Sequence, residues 1–425
     1  MGRTAKDKRT NDPKPVQRIE LSEDHVKKRA IAAVLFLLIG VGLLVYCFIN
    51  FLSPGGGWIT IEANRNESDS TEFVFQYYLG ANGANASAEN KAVTALYNEV
   101  TRTQYCLFHE IETFDNVINI CAINNSPNEE LTVDPALYKV FGLFKEHNSR
   151  YIYLAPIYEQ YNDLFFCTDD SQLIDFDPVT SPEVKKSFDG TLRFVNDPNS
   201  VEMQLLGDNK IRLFVSEEYL EYAKEEGITE FISLMWLKNA FAVDYIAEEM
   251  VSHGYCLGSI SSYDGFVRNF DSLSSTDYTF NLFDQPEAGG EIFQASAMQY
   301  LNTISIVFLR DYDLNSLDIQ HYYKLQSGEI RTPYLDISDA LPKSAFNNLV
   351  SYSKDKGCAE ILLEILPVYI SDSPDKSEAA LNSLSEKGIN SIYFKDHTLC
   401  YNEEDLRISY LFNQDGVEYK SQFVK

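Results

Sequence analysis

The longest feature in the hydropathy pattern is the run from Ala30 to Leu52, 23 residues without a charge and rich in Leu, Ile, Val and Phe. About 20 such residues suffice to cross the hydrocarbon core of a bilayer, so the run predicts one transmembrane helix. Lys27, Lys28 and Arg29 abut its N-terminal side, which places residues 1–29 in the cytoplasm as a polar tail and the main part of the chain outside. No small-residue cleavage site follows Leu52, and the residue before Cys47 is the bulky Tyr46, so a cleaved leader and a lipid-modified cysteine are both set aside. The expected organisation is a cytoplasmic tail at 1–29, a membrane helix at 30–52, a linker at 53–72 and a folded domain at 73–425.

Beyond the linker the pattern changes to short segments of two periods. Phe73 to Leu79 is aromatic and β-branched, which predicts a strand. Ala88 to Phe108 carries Val93, Leu96, Tyr97 and Val100 at helical spacing. Asp134 precedes Pro135 and a helical stretch over 136–146, the acid serving as N-cap and the proline as first helical residue. Polarity alternates in Leu192 to Val195 and in Lys210 to Phe214, which predicts strands. Mixed elements without a regular βαβ repeat give an α+β fold class.

Composition adds a strong acidic bias, 63 Asp and Glu against 35 Lys and Arg for a net charge of −28. Nine of the basic residues and five of the acidic ones fall in the first 30 positions, so the outer domain is more acidic than the whole. Such a surface excludes nucleic acid as a partner and disfavours anionic lipid. Any anionic cofactor would need local positive charge or a divalent cation. Cys106, Cys121, Cys167, Cys256, Cys358 and Cys400 are scattered with no Cys-x-x-Cys spacing, which argues against zinc and leaves disulfides and free thiols both open.

Several separated blocks carry candidate chemistry. Lys238 and Asp244 lie six residues apart at a helix start, behind Leu234 and Met235 and next to Asn239. Asp264-Gly265-Phe266-Val267-Arg268 follows, then Asp311-Tyr312, then His321-Tyr322-Tyr323-Lys324-Leu325-Gln326-Ser327-Gly328, and last Cys358-Ala359-Glu360-Ile361-Leu362-Leu363-Glu364. In this order the blocks resemble the FAD:protein FMN transferases, the ApbE-like flavin transferases. The corresponding patterns there are Gly-Gly-x-x-Lys-Gly-x-x-x-Asp, Gly-Gly-x-Ile-Arg, Thr-Ser-Gly-Asp-Tyr, His-Ile-x-x-Pro-x-Thr-Gly and Asp-Ala-x-x-Thr. The likeness spans about 350 residues from Phe73 onward. Leu234, Met235, Asn239 and Asp264 stand where the patterns have glycine.

The resemblance implies a single ApbE-like, T-fold-related domain outside the cytoplasm. It further implies an enzyme that cleaves FAD and transfers FMN to a Thr or Ser hydroxyl of an exported acceptor protein, with Mg²⁺ beside the pyrophosphate. By the same resemblance Lys238, Asp244, Gly265, Arg268, Ser327 and Gly328 would contact the cofactor, and Lys238 and His321 would act in catalysis. Glu360 and Glu364, at i and i+4 on one helix, would hold the metal, hard cations preferring oxygen ligands. The residues alone also allow a solvated Lys238, a structural His321 and a charged stripe at Glu360 and Glu364. The alternative reading is therefore a catalytically impaired relative that binds flavin or a partner. Glycine lets backbone approach a phosphate or ring closely, and its replacement narrows such a slot.

Overall fold

The computed structural model describes residues 31, 34–35, 40–44, 56–63, 72–81, 85–272, 277–287, 290–314, 321–413 and 416–424. The chain divides into two units, residues 1–55 and 56–425. In the first unit the described residues are helical and exposed, while the expected cytoplasmic tail and most of the 30–52 run lie outside the described residues. Among the described residues no helix is long and apolar enough to cross a membrane.

The second unit is built on a nine-stranded sheet whose spatial order follows the chain. Its strands are β1 (Gly57–Ile61), β2 (Phe73–Leu79), β3 (Gly258–Ser262), β4 (Phe266–Asn269), β5 (Ile304–Arg310), β6 (Asn348–Ser353), β7 (Asn390–Lys395), β8 (Thr398–Tyr401) and β9 (Lys420–Phe423). All neighbours pair antiparallel except β8 and β9. Strand β1 falls inside the stretch expected to be linker, so the folded unit starts at Gly56 and not at Phe73. Glycines before it and a polar run after it hide a segment, Trp58-Ile59-Thr60-Ile61, with good strand chemistry of its own.

Among the described residues the seven longer helices are α1 (Ala86–Phe108), α2 (Pro135–Glu146), α3 (Pro182–Val195), α4 (Glu217–Glu226), α5 (Lys238–Ser252), α6 (Cys358–Tyr369) and α7 (Pro374–Ser385). Asn85 caps α1 by accepting from the amides of Ser87 and Ala88. Asp134 caps α2 as expected, accepting from the Ala136 amide at 2.8 Å. Residues 192–195, expected to be a strand, form the last turn of α3. Ser181 caps that helix, and Val184, Phe188, Leu192 and Val195 are buried along one face. The two-residue alternation at Leu192 and Phe194 is local, and the helical period over the longer stretch prevails. Pro367 lies inside α6, which runs on to Tyr369.

The main sheet is covered on both faces. In β5, Val307 and Leu309 join the large core shared with the helices, while Ile304, Ile306 and Phe308 pack in a second core. The second core is closed by a three-stranded sheet of Tyr278–Asp284, Phe293–Tyr300 and Arg407–Ile408. A strand buried on both faces loses the polar alternation of a half-exposed one, which is why β5 reads as a continuous apolar run. Helix α5 packs against α1, α6, β3 and β4, and thereby brings the motif residues at its start close to the β3–β4 turn and the start of α6. The six described cysteines are all free thiols.

Candidate active site

The segment before α5 is held by Glu110. Its carboxylate accepts from the Leu234 amide at 2.6 Å and from the Ser233 hydroxyl at 2.7 Å. Met235 then adopts φ +50°, a left-handed conformation that favours glycine. Met235 thus holds a backbone conformation that glycine adopts freely, at a cost of about 1 kcal/mol. Leu234 is buried in the core and Met235 packs against it.

In the pattern lysine and aspartate stand five residues apart, against six between Lys238 and Asp244, so Asn239 stands at the motif's Lys-Gly step, at the glycine when Lys238 is matched and at the lysine when Asp244 is matched. It meets Asp264, which replaces a glycine of the next motif. Asn239 Nδ2 donates to Asp264 Oδ2 at 2.9 Å, joining the first turn of α5 to the β3–β4 turn. Both Asn239 Oδ1 and Asp264 Oδ1 are shut off from water. Burial pushes the Asp264 carboxyl above the usual carboxylate range, opposed by hydrogen bonds from Ser262 and Asn239 and by the nearby charge of His321 and Arg310. The Arg310 guanidinium also donates to the Asp264 carbonyl at 3.2 Å. His321 therefore lies within electrostatic reach of Asp264, a residue that the resemblance does not assign.

Gly265 keeps its glycine for a structural reason. It has φ +115°, and a Cβ there would stand 2.4 Å from the Phe308 carbonyl oxygen. The Phe308 amide in turn donates to the Gly265 carbonyl at 2.9 Å, which fixes the turn against β5.

Asp244 and Arg268 come together around the start of α6. Asp244 accepts from the amides of Cys358 and Ala359, both at 2.9 Å, satisfying two of the donors left free at a helix N-terminus. Arg268 lies 3.8 Å from Asp244 and donates to the Lys356 carbonyl at 2.8 Å and to the Ser305 hydroxyl. Burial pushes the Asp244 carboxyl up, and Arg268 and the two amides oppose it. A Cβ at Gly357 would come within 2.4 Å of Asp244 Oδ2, so this close approach requires glycine. Asp244 thus occupies the positive end of α6, where an anion would otherwise be attracted.

The metal expected here does not fit the residues present. Matching Ala359 to the alanine of Asp-Ala-x-x-Thr puts Cys358 and Leu362 in place of the two oxygen ligands, and both are fully buried. The Cys358 thiol donates to the Val267 carbonyl at 3.2 Å, and Leu362 is core. Glu360 forms an ion pair with Lys356. Glu364 lies 3.2 Å from His147 Nδ1 and 3.8 Å from Lys387 Nζ. Each glutamate has basic partners of its own, and no group of three His, Cys, Asp or Glu able to hold a metal occurs among the described residues.

The remaining expected residues are dispersed. Lys238 opens α5 with its ammonium 3.7 Å from Glu72. Ser327 and Gly328 form the exposed turn of a two-stranded hairpin, Tyr323–Lys324 with Ile330–Arg331, where Gly328 takes φ +93°. A groove of about 430 Å³ reaches Asp244 and Ala359 between α2 and α5, with Phe108, Val140 and Phe241 in its wall and Asp134, Glu248 and Glu249 along it. Lys139 also lines it and pairs with Glu248 at 2.6 Å, which leaves Asp134 and Glu249 to repel a pyrophosphate.

Sequence reasoning missed Glu110, which organises the 233–235 turn, and the Asn239–Asp264 pair. The second was open to discovery, because polar residues replace motif residues in two motifs at once. The Asp-Tyr pair at 311–312 holds one more perturbed acid. Burial, with Asp284 nearby, raises Asp311 to about 7 against a hydrogen bond from Ser344. The folded state therefore binds more protons than the unfolded one between the ordinary Asp range near 4 and about 7, and stability falls as pH rises through that window. Urea unfolding should show a lower midpoint at pH 8 than at pH 5, and Asp311→Asn should flatten that part of the slope. An unchanged slope in the variant would remove Asp311 as its source.

No family model and no curated protein matches the sequence. Among solved structures, the ApbE protein from Thermotoga maritima is similar with a TM-score of 0.54 at 12% identity, over 79% of this chain and 94% of that one. The flavin transferase ApbE from Vibrio cholerae gives a TM-score of 0.54 at 11% identity, over 84% of this chain and 97% of that one. Identities this low speak for architecture and not for chemistry. The chain has the ApbE fold, in a divergent form.

Proposed function

We propose that this protein is an ApbE-fold protein that does not transfer FMN and serves instead as a binding module, anchored to a membrane by its 30–52 segment with the folded unit outside the cytoplasm. The observation that carries this reading is the Asn239–Asp264 hydrogen bond at 2.9 Å, because it joins a side chain at the Lys-Gly step of one motif to one that replaces a glycine of the next. The altered ion site supports it. Oxygen ligands give way to Cys358 and Leu362, and Asp244 takes up the α6 N-terminus. Without a cation the acidic chain would repel FAD. The exported protein expected as an FMN acceptor becomes, on this reading, a partner that is bound and left unmodified.

Transferase activity remains the competing reading, and AMP release separates the two. The full chain incubated with FAD, Mg²⁺ and a Thr-containing acceptor peptide should release no AMP above a protein-free control. Mg²⁺-dependent release with FMN on the peptide would overturn the proposal.

A further inference from the structure

We propose that an aromatic edge of the folded unit, centred on Trp58 and Tyr78, seats against the zwitterionic lipid surface from which the chain emerges. The proposal rests on the membrane-anchor reading of residues 30–52 given above.

Four rings form a continuous row. Trp58 on β1 meets Tyr78 on β2 edge-on with centroids 5.6 Å apart, and meets Tyr278 edge-on at 5.8 Å. Tyr278 stacks on Tyr300 at 5.5 Å. The row links the first strands of the main sheet to the smaller sheet. Tyr278 is steadied by donating its hydroxyl to Asp271. Trp58 is 38% exposed, Tyr78 39% and Leu301, next to Tyr300, 41%. Leaving a tryptophan and neighbouring large apolar side chains in water at one edge is unfavourable unless something covers them.

Position in the chain says what covers them. Leu52 ends the apolar run and Trp58 is the sixth residue after it, so the connecting chain spans at most about 21 Å even when fully extended. A tether that short keeps Trp58 within reach of the headgroup layer. Tryptophan and tyrosine are the side chains that prefer this layer, since an apolar ring body and a polar N–H or O–H suit its two sides. The net charge of −28 excludes attraction to anionic lipid as the cause, which leaves a zwitterionic surface engaged by aromatic insertion.

The test uses the full chain reconstituted in phosphatidylcholine vesicles, with nitroxide-labelled lipid and aqueous iodide as opposing quenchers. The chain has two tryptophans, Trp58 and Trp236, so Trp58→Phe isolates the second as a control without disturbing its site. Wild type should show at least about twofold stronger quenching by headgroup-proximal nitroxide than Trp58→Phe, and its iodide quenching should fall on moving from detergent to vesicles. Alkaline carbonate extraction of the same vesicles reports the anchor independently. An embedded chain with equal nitroxide quenching in both proteins would overturn the aromatic contact and leave the anchor standing. A chain extracted by carbonate would overturn the anchor and the contact together.

Discussion

Replacing Asp244 with alanine should cost the folded unit about 3–5 kcal/mol, the range for removing one member of a buried charge pair. Three losses coincide. The amides of Cys358 and Ala359 lose their acceptor, the positive end of α6 loses its counter-charge, and Arg268 is left without its carboxylate. Helix α6 lies at the centre of the main core, with Ile361, Leu362, Ile365 and Leu366 fully buried, so its first turn cannot fray into water without opening that core. Asp244→Asn keeps an oxygen for one amide and should lose less. Urea unfolding of the three proteins followed by circular dichroism gives the ranking. A destabilisation by Asp244→Ala below about 1 kcal/mol would mean that the cap is dispensable.

The second large effect is expected from Gly265→Ala. A methyl at this position meets the Phe308 carbonyl at 2.4 Å, and backbone cannot swing aside as a flexible side chain would. The left-handed φ of +115° adds its own strain. The expected loss exceeds about 3 kcal/mol, enough to abolish a marginally stable fold. Gly328→Ala is the matched comparison, since φ is +93° there and a Cβ would meet nothing within 4 Å. That variant should lose only about 1 kcal/mol, the cost of the dihedral alone. Equal effects of the two substitutions on soluble yield and melting temperature would refute the steric account.

Asp244 and Gly265 are residues that the family resemblance assigns to the cofactor and that the structure employs to hold the fold. The fold was legible because the order of the blocks survives substitution. Lys238 and Asp244 still open one helix, Gly265 and Arg268 still flank one turn, and Ala359 still sits in the first turn of α6. Strand β2 and helices α1 and α2 were readable from period and caps alone. Strand β1 was not, because turn-forming and polar neighbours outweigh a five-residue strand in any local window. The last turn of α3 was misread for the opposite reason, a short alternation outvoting a longer helical period.

The candidate site was less legible than the fold, since its character depends on pairs of substitutions. Asn239 alone reads as a lost motif residue, and Asp264 alone reads as a turn residue. Only their contact shows that one replacement answers the other. Likewise Glu360 and Glu364 share a helix face, yet Lys356, His147 and Lys387 claim them separately. Spacing along one helix cannot reveal partners contributed by other segments.

The central claim is that the Asn239–Asp264 pair closes the flavin slot, and its most direct test is a flavin-fluorescence titration of FAD, with and without Mg²⁺, into wild type and into Asn239→Gly/Asp264→Gly. Wild type should show no saturable binding in either condition, and the double-glycine variant, which removes both members of the pair, should gain affinity. Saturable, Mg²⁺-dependent binding by wild type that the double variant leaves unchanged would contradict the claim.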